Sequence, residues 1–224
     1  MPTAATPPMR PLAVRDLGRD VPYAEGLALQ ERLHAQRRTG EIPDTLLLLE
    51  HRRVYTLGRS ADAGHILWDS QGLREAGIER VETNRGGDVT YHGPGQLVGY
   101  PIIHLGEAGL HVVEYVTALE EAIIRAVATF GITAGRDDRN RGVWVGNNKL
   151  AALGIRVSHQ VTMHGFALNV STRLSDFGGI IACGIRDAGV ISMERILGNA
   201  PDMDAVKTAV IRAFAEVLGE TVVR

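Results

Sequence analysis

A glycine-rich stretch near the middle of the chain reads Asn84-Arg-Gly-Gly-Asp-Val-Thr-Tyr-His-Gly-Pro-Gly95 and continues as Gln-Leu-Val-Gly-Tyr-Pro-Ile-Ile103. Its first part contains four glycines and one proline, which exclude a regular helix. Its second part carries no charge and is mostly apolar, which predicts a strand over residues 96–103. A loop with few side chains can wrap a long, thin ligand. No Gly-Lys-Ser/Thr follows and no helix begins there, so the loop is neither a Walker loop nor a dinucleotide fingerprint.

Helices and strands surround this stretch without strict alternation. The clearest helix spans residues 111–130, where apolar side chains recur every three or four positions. The other predicted helices are 23–38, 69–76 and 203–218. The remaining predicted strands are 12–17, 46–50, 54–57, 78–82, 142–146, 149–157 and 161–170. This order favours an α+β fold in which helices flank a mixed β-sheet.

Length and composition indicate one globular domain. The chain has 224 residues, enough for one large core and short for two independent ones. Hydrophobic residues make up 45% and charged residues 22%, which is typical of a soluble globular protein. We assign residues 12–224 to a single domain. Residues 1–11 are rich in proline and are predicted to form a disordered lead-in.

Charge and hydropathy exclude several classes of protein. The formal net charge is -2, so no basic field points to nucleic acid. No run approaches the roughly 18 apolar residues of a membrane span. The N-terminus lacks the apolar core of a secretory signal, and a single cysteine rules out an internal disulfide. These features predict a cytoplasmic protein that binds neither nucleic acid nor membrane.

Lysine is rare in this chain. Only Lys149 and Lys207 occur, and the other basic residues among the 24 are arginines. A composition bias toward arginine accounts for most of this. Under such a bias, a remaining lysine can mark a position where arginine cannot serve, because arginine stays protonated whereas a buried lysine can lose its proton. Lys207 lies on a predicted helix and shows that this reasoning does not hold for every lysine.

Cys183 is the one cysteine, and it follows the short apolar run Gly178-Gly-Ile-Ile-Ala182. A lone cysteine is often a small buried hydrophobe. As a nucleophile, it would benefit from Gly184, which lets a substrate carbonyl approach and exposes backbone N–H groups to a developing oxyanion. A thiolate nucleophile also needs a base or a lowered pKa.

Two residue types compete for the role of that base. The chain has eight histidines, and histidine is the usual partner. Lys149 is the rival, at a turn-to-strand boundary in Gly146-Asn-Asn-Lys-Leu-Ala-Ala-Leu-Gly154. It is either a solvated turn residue or a side chain that enters a pocket. Beside a thiolate, Lys149 would titrate together with the cysteine as a pair.

Metal binding is poorly supported. His159 and His164 are five positions apart, and on one strand they would point to opposite faces. The chain has no His-Glu-x-x-His pattern. We predict no metal site, with His159 at the surface and His164 in the ligand pocket.

Five segments, read together, resemble the lipoyl(octanoyl) transferase family. The longest is Arg85-Gly-Gly-x-x-Thr90-Tyr91-His92-x-x-Gly95-Gln96-x-Val98-x-Tyr100, which follows the family signature at every defined position. The others are Gly142-Val-Trp-Val-Gly146, Lys149-Leu-Ala-Ala-Leu-Gly154, His164-Gly-Phe-Ala-Leu-Asn169 and Cys183-Gly-Ile. The similarity spans roughly residues 20 to 200 in consistent order. One departure is Ala182, which stands where the family commonly has a proline.

The resemblance implies the fold of the biotin and lipoate protein ligases and an octanoyl transfer reaction. The family takes an octanoyl group onto its cysteine as a thioester and passes it to a lysine of a lipoyl domain. By position, Cys183 is the nucleophile and Lys149 the residue that activates it. The implied substrate-binding residues are Arg85, Gly86, Gly87, Asp88, Val89, Thr90, Tyr91, His92, Ala152, Leu153, Gly154, His164, Gly165, Phe166 and Ala167.

The resemblance also implies partners. The donor is octanoyl-acyl carrier protein, and the acceptors are the lipoyl domains of 2-oxoacid dehydrogenase complexes and the glycine cleavage H protein. No cofactor is expected, neither ATP nor metal, because the donor is already a thioester. Acyl carrier proteins are acidic, so a local arginine cluster would dock the donor. The two candidate clusters are Arg136, Arg139 and Arg141, and Arg52, Arg53 and Arg59.

Three alternative functions remain open at this stage. An ATP-dependent lipoate or biotin ligase of the same fold would need an adenylate site and no cysteine nucleophile. A non-catalytic module that binds acyl groups or lipoyl domains would be expected to lack the Cys183 and Lys149 pair. A thioesterase would let water replace the acceptor lysine. ATP dependence and the fate of the acyl group distinguish these alternatives.

Overall fold

The computed structural model of the chain describes residues 9–181 and 188–223. In this part of the chain, eight strands form one mixed sheet in the order β10-β8-β9-β6-β2-β1-β11, with β7 paired to β8. Its strands are β1 (Arg10–Asp16), β2 (Asp44–Leu49), β6 (Gln96–Ile102), β7 (Gly142–Val145), β8 (Asn148–Ser158), β9 (Val161–Asn169), β10 (Gly189–Val190) and β11 (Glu220–Val223). β1 runs parallel to β2 and β11, and β10 runs parallel to β8, whereas the central pairings are antiparallel.

Helices cover both faces of this sheet. They are α1 (Tyr23–Arg38), α2 (Ser70–Ala76), α3 (Leu105–Ala108), α4 (Val112–Ala128), α5 (Met193–Leu197) and α6 (Met203–Leu218). Side chains alternate along β2, so Leu46 and Leu48 join the core under α4 and α6, while Leu47 and Leu49 join the core under α1. Because both faces are covered, β2 is a continuous apolar run rather than an alternating one.

A second, three-stranded sheet packs beside the large one. It consists of β4 (Glu79–Glu82), β3 (Val54–Leu57) and β5 (Val89–His92), in that order. Its core is aromatic, since Tyr55 and Tyr91 meet edge to face at 6.0 Å and Phe177 lies 5.3 Å from Tyr91, as measured between ring centroids. The glycine-rich loop, residues 84–88, connects this small sheet to β8 of the large sheet, where the Gly86 N–H donates to the Ile155 carbonyl.

The predicted fold class is confirmed: the chain is α+β, with a mixed sheet and flanking helices. The helices at 23–38 and 203–218 have the predicted bounds. β1 begins at Arg10, so Arg10 and Pro11, assigned from sequence to the lead-in, pair instead with Glu220 and Thr221 of β11. Strand β5 was not predicted, because the glycines around it mask a four-residue strand. None of the helices in the described residues is long and apolar enough to cross a membrane.

Candidate active site

A cavity opens between the glycine-rich loop and strands β8 and β9. It contains about 590 Å³ of empty space, part of which is open to solvent. Its walls come from the start of α1, from β5 and the loop before it, and from β6, β8 and β9. The lining residues are Tyr23, Arg85, Gly87, Asp88, Val89, Thr90, His92, Tyr100, Asn140, Ala152, Leu153, Gly154, His164, Gly165, Phe166 and Ala167.

The structure brings together residues from three separate sequence segments. All the residues predicted to bind substrate line this cavity except Gly86 and Tyr91. Gly86 instead donates its backbone N–H to the Ile155 carbonyl at 2.8 Å and joins the loop to β8. Tyr91 points to the opposite face of β5, where its hydroxyl donates to Asp176 Oδ2 at 2.7 Å. The Tyr91 side chain does not line this cavity, and a substrate contact by Tyr91 stays a prediction.

Three lining residues were missed from the sequence: Tyr23, Tyr100 and Asn140. Tyr100 ends the matching signature, so the motif itself contained the signal. Tyr23 begins α1, and Asn140 precedes β7. For neither residue does the sequence carry a pattern that would have placed it in this cavity.

Arg85 anchors the glycine-rich loop. Its side chain is buried, and its Nη2 donates to the Thr56 hydroxyl at 2.9 Å and to the Thr56 carbonyl at 2.5 Å. Gly58 lies against the same loop, where a Cβ would overlap the Gly87 carbonyl oxygen. These contacts hold the loop against β3, and the loop also lines the cavity.

Histidine and tyrosine side chains form the inner wall of the cavity and its backing. His51 Nδ1 donates to the Val21 carbonyl at 2.9 Å, which leaves Nε2 to accept the Tyr100 hydroxyl at 2.7 Å. His92 Nδ1 donates to Gln96 Oε1 at 2.8 Å. His51 and His92 therefore each have a defined tautomer.

Burial keeps this wall uncharged. It lowers the pKa of His51 and of His164 to about 4, and it lowers the pKa of His92 well below its ordinary value. Burial also raises the pKa of Tyr23 to about 12 and that of Tyr100 well above 10. At neutral pH these histidine and tyrosine side chains are neutral, so the charged side chains in the lining are Arg85 and Asp88.

An acidic side chain lies at one side of the cavity. Asp88 Oδ2 accepts a hydrogen bond from His65 Nδ1 at 2.5 Å, and Asp88 Oδ1 accepts the Val89 N–H at 2.8 Å. The His65 carbonyl accepts the N–H of Ile181 at 2.8 Å. The loop that carries Asp88 is thereby tied to the chain that leads toward Cys183.

Lys149 lies on β8 beside this cavity and is buried, with 6% of its surface exposed. It lines a small adjoining cleft, with about 280 Å³ of empty space that includes open solvent, and this cleft shares Thr90, Ala152 and Ala167 with the larger cavity. Nζ donates to Asn140 Oδ1 at 2.7 Å and to the Arg141 carbonyl at 3.2 Å. The reading of Lys149 as a solvated turn residue is therefore excluded.

Cys183 lies outside the described residues, as does Ala182, but the chain on either side is described. Ile181, two positions before Cys183, is hydrogen-bonded to His65. Val190, seven positions after Cys183, is the register partner of Lys149 across β10 and β8, and the Ile191 N–H donates to the Lys149 carbonyl at 3.1 Å. The described chain that follows this segment, β10, thus pairs with β8 at Lys149.

The two histidines considered for a metal do not share a strand face. His159 lies in the turn between β8 and β9 and is exposed, whereas His164 is buried and donates from Nε2 to Asn84 Oδ1 at 2.8 Å. Among the described residues, no three histidine, cysteine, aspartate or glutamate side chains are grouped as a metal site requires.

The two arginine clusters differ in their surroundings. Arg139 lies over the Trp144 ring, 5.3 Å from its centroid, and Trp144 also contacts Lys149. Arg53 is bound to the buried Asp176 at 2.9 Å, whereas Arg59 is exposed beside the glycine-rich loop. Both clusters therefore reach the neighbourhood of the cavities, the first at Lys149 and the second at the loop.

Comparison with known proteins gives the class of fold. A lipoate-protein ligase A bound with ATP matches with a TM-score of 0.71 and 16% identity over 96% of this chain and 90% of that one. An archaeal bipartite lipoate protein ligase from Thermoplasma acidophilum, studied with its E2 lipoyl domain, matches with a TM-score of 0.73 and 18% identity over 97% of this chain and 88% of that one. The fold is that of the lipoate protein ligases.

Sequence relatives define the family more closely. The profile of the lipoyl protein ligase A/B catalytic domain matches residues 22–215. An octanoyltransferase from Rubrobacter xylanophilus is 49% identical over 93% of this chain and 95% of its own length. One from Solibacter usitatus is 50% identical over 93% of this chain and 94% of its own. The chain therefore belongs to the lipoyl protein ligase A/B catalytic-domain family and, within it, to the octanoyltransferases, which are acyltransferases.

Proposed function

We propose that the chain takes an octanoyl group from octanoyl-acyl carrier protein onto Cys183 as a thioester and then passes it to a specific lysine of a lipoyl domain. Lys149 is the proton-transfer partner in both steps. The observation that carries this proposal is the position of Lys149, which lies between the acyl cavity and the strand β10 that follows Cys183.

The cavity is suited to the acyl chain. The histidine and tyrosine side chains of its lining are neutral, and Gly87, Gly154 and Gly165 also lie along it. Burial of an alkyl chain contributes about 0.8 kcal/mol for each methylene group. Close to Lys149, the lining shared by the two cavities consists of Thr90, Ala152 and Ala167, so the reacting carbonyl can lie where they meet.

The first half-reaction exchanges one thioester for another. The Cys183 sulfur attacks the donor carbonyl, the carbon–sulfur bond to the carrier breaks, and the Cys183 proton moves through Lys149 to the leaving thiolate. Donor and product are both thioesters, so this step is close to thermoneutral and needs neither ATP nor a metal. A side chain that can both accept and release a proton is required, which arginine cannot provide.

The second half-reaction forms an amide. The neutral amine of the acceptor lysine attacks the Cys183 thioester, the carbon–sulfur bond breaks, and the amine proton returns through Lys149 to the Cys183 sulfur. This step is downhill because an amide replaces a thioester. The acceptors we propose are the lipoyl domains of 2-oxoacid dehydrogenase complexes and the glycine cleavage H protein. We propose further that residues 12–224 act as one catalytic domain, in the cytoplasm.

The test is the intact mass of the protein after incubation with octanoyl-acyl carrier protein without ATP. We expect a hydroxylamine-sensitive gain of one octanoyl group, and we expect none in Cys183→Ser under thiol-specific conditions. Lys149→Arg should keep the fold but stop acyl loading, whereas Lys207→Arg is the matched control. Lys207 is on α6, is ion-paired with Asp16 at 2.7 Å and lines neither cavity, so arginine can keep its charge without entering the site.

Other outcomes would select other functions. Normal loading of Lys149→Arg would remove Lys149 from the mechanism. Modification of a lipoyl domain only when ATP and free octanoate are supplied would identify a ligase and give Cys183 a structural role. Release of free octanoate in place of transfer to the acceptor lysine would identify a thioesterase.

A further inference from the structure

The segment between α4 and β7 ends against Lys149. The Asn140 amide oxygen accepts a hydrogen bond from Lys149 Nζ at 2.7 Å, and Nζ also lies 4.8 Å from the centroid of the Trp144 ring. Trp144 Nε1 in turn donates to the Asn140 backbone carbonyl at 3.1 Å. Asn140, which accepts the Nζ hydrogen bond, is therefore itself hydrogen-bonded to Trp144, whose ring covers Nζ.

We propose that Asn140, held by Trp144, is a positioning residue that aims the Lys149 ammonium group at its proton-transfer partner; this rests on the proposed role of Lys149. A lysine side chain has four rotatable bonds and about 2 kcal/mol of rotamer entropy, so Nζ has no defined direction of its own. Proton transfer requires the two heavy atoms to come within about 3 Å of each other. A fixed acceptor on one side of Nζ limits the orientations of its remaining hydrogens.

The stem of Lys149 is also confined. Gly142 lies across from it with φ +145°, and a Cβ at Gly142 would approach the Lys149 Cε to 3.2 Å and the Ala151 carbonyl oxygen to 2.7 Å. Glycine at this position lets the strand β7 close over the lysine stem. Asn140 and Gly142 thus act on the head and the stem of the same side chain.

The chemistry of an amide suits this role. Asn140 orients Nζ without adding charge, whereas a carboxylate would hold the proton on Nζ more firmly. The nearby Asp137 carboxylate is occupied by Arg139, whose guanidinium donates to it at 2.8 and 2.6 Å. Asp137, three positions before Asn140, is therefore paired with Arg139, and the acceptor for Lys149 Nζ is the Asn140 amide oxygen.

Asn140 also lines the acyl cavity. Asn140 thus belongs both to the cavity lining and to the hydrogen-bond partners of Lys149 Nζ. Loss of Asn140 should therefore act mainly on the rate of acyl loading at saturating donor, since the rest of the cavity lining still binds the chain.

The experiment measures acyl loading by intact mass against pH, with octanoyl-acyl carrier protein as donor, for Asn140→Ala, Asn140→Asp and the exposed control Asn199→Ala. We expect Asn140→Ala to lower the rate at saturating donor by about tenfold with little change in KM. Asn140→Asp should shift the acidic limb of the pH–rate profile to higher pH, because the added negative charge stabilises the fully protonated Cys183 and Lys149 pair. The control should match the wild-type protein.

The double variant Asn140→Ala/Lys149→Ala separates this proposal from the proposed function. If Asn140 acts through Lys149, its removal has no further effect on the slow residual loading of Lys149→Ala, measured over long incubation at high donor concentration. An equal loss in both backgrounds, a rise in KM alone, or unchanged pH profiles for both single variants would overturn the positioning role. Wild-type loading by Lys149→Ala would instead overturn the proposed function, and the assignment of Asn140 with it.

Discussion

Tyr91 turns its hydroxyl onto the Asp176 carboxylate, at 2.7 Å, while Thr90 and His92 on either side of it face the acyl cavity. Asp176 also binds Arg53 and Arg173 at 2.9 Å each, so it joins the small sheet to the turn at residues 174–179. Tyr91, in the middle of the family signature, thus stabilises the small sheet through Asp176 and does not line the cavity.

This arrangement predicts that substitution of Tyr91 changes the stability of the protein more than its binding of the donor. Tyr91→Phe should lower the free energy of unfolding by about 1–3 kcal/mol, because a buried carboxylate loses a donor. Its KM for the octanoyl donor should stay near that of the wild-type protein. Chemical denaturation and acyl-loading kinetics measure the two quantities. A large rise in KM with unchanged stability would show that Tyr91 contacts the substrate after all.

Gly99 makes room for a cavity residue. A Cβ at Gly99 would overlap the Phe166 ring, which lines the acyl cavity. We expect Gly99→Ala to destabilise the protein by about 1–3 kcal/mol and to push Phe166 toward the cavity. The KM for an octanoyl donor should then rise more than the KM for a butanoyl donor. Gly135→Ala is the control, since no heavy atom lies within 4 Å of a Cβ there. Equal effects on both donors would contradict the displacement of Phe166.

Buried histidines and one buried glutamate predict a stability maximum near pH 6.5. His51, His92 and His164 have lowered pKa values, so the unfolded chain binds more protons between about pH 4 and 6.5, and stability rises with pH there. Burial and the nearby Asp44 carboxylate raise the pKa of Glu220 from 4.5 to about 8, so the folded chain holds more protons on Glu220 than the unfolded chain between about pH 4.5 and 8. Glu220 therefore lowers stability as pH rises, and of these four groups it is the one that still acts above pH 6.5.

Replacement of Glu220 isolates this second effect. Glu220→Gln should remove the decline in unfolding free energy between pH 6.5 and 8, which amounts to about 2 kcal/mol at most. Urea unfolding at pH 5, 6.5 and 8 measures it, with the wild-type protein alongside. A decline of the same size in Glu220→Gln would assign it to another group.

Arg139 is predicted to help dock the acidic donor. Charge reversal by Arg139→Glu should raise the KM for octanoyl-acyl carrier protein by about fivefold at low salt, with less effect at high salt. The KM for a small octanoyl thioester that lacks the carrier protein should not change. Arg212→Glu is the control, because Arg212 is an exposed residue on α6. If Arg59→Glu raises the KM for octanoyl-acyl carrier protein and Arg139→Glu does not, the carrier docks at the glycine-rich loop instead.

The sequence by itself determined the class of fold and most of the cavity. The bounds of α1 and α6 follow from local patterns, and the loop before β5 follows from its glycines, because these depend on neighbours a few positions away. The resemblance also named most of the residues that line the cavity, since a shared motif carries shared contacts.

Only the tertiary structure decided what lies beside Lys149. Cys183 is 34 positions away, and no local rule brings β10, with only two residues, against β8. Nor could the sequence show that Tyr91 faces away from the cavity or that Asn140 contacts both the cavity and Nζ. These relationships arise when strands distant in sequence pair, and the direction of each side chain is then set by sheet register and by packing against elements from elsewhere in the chain.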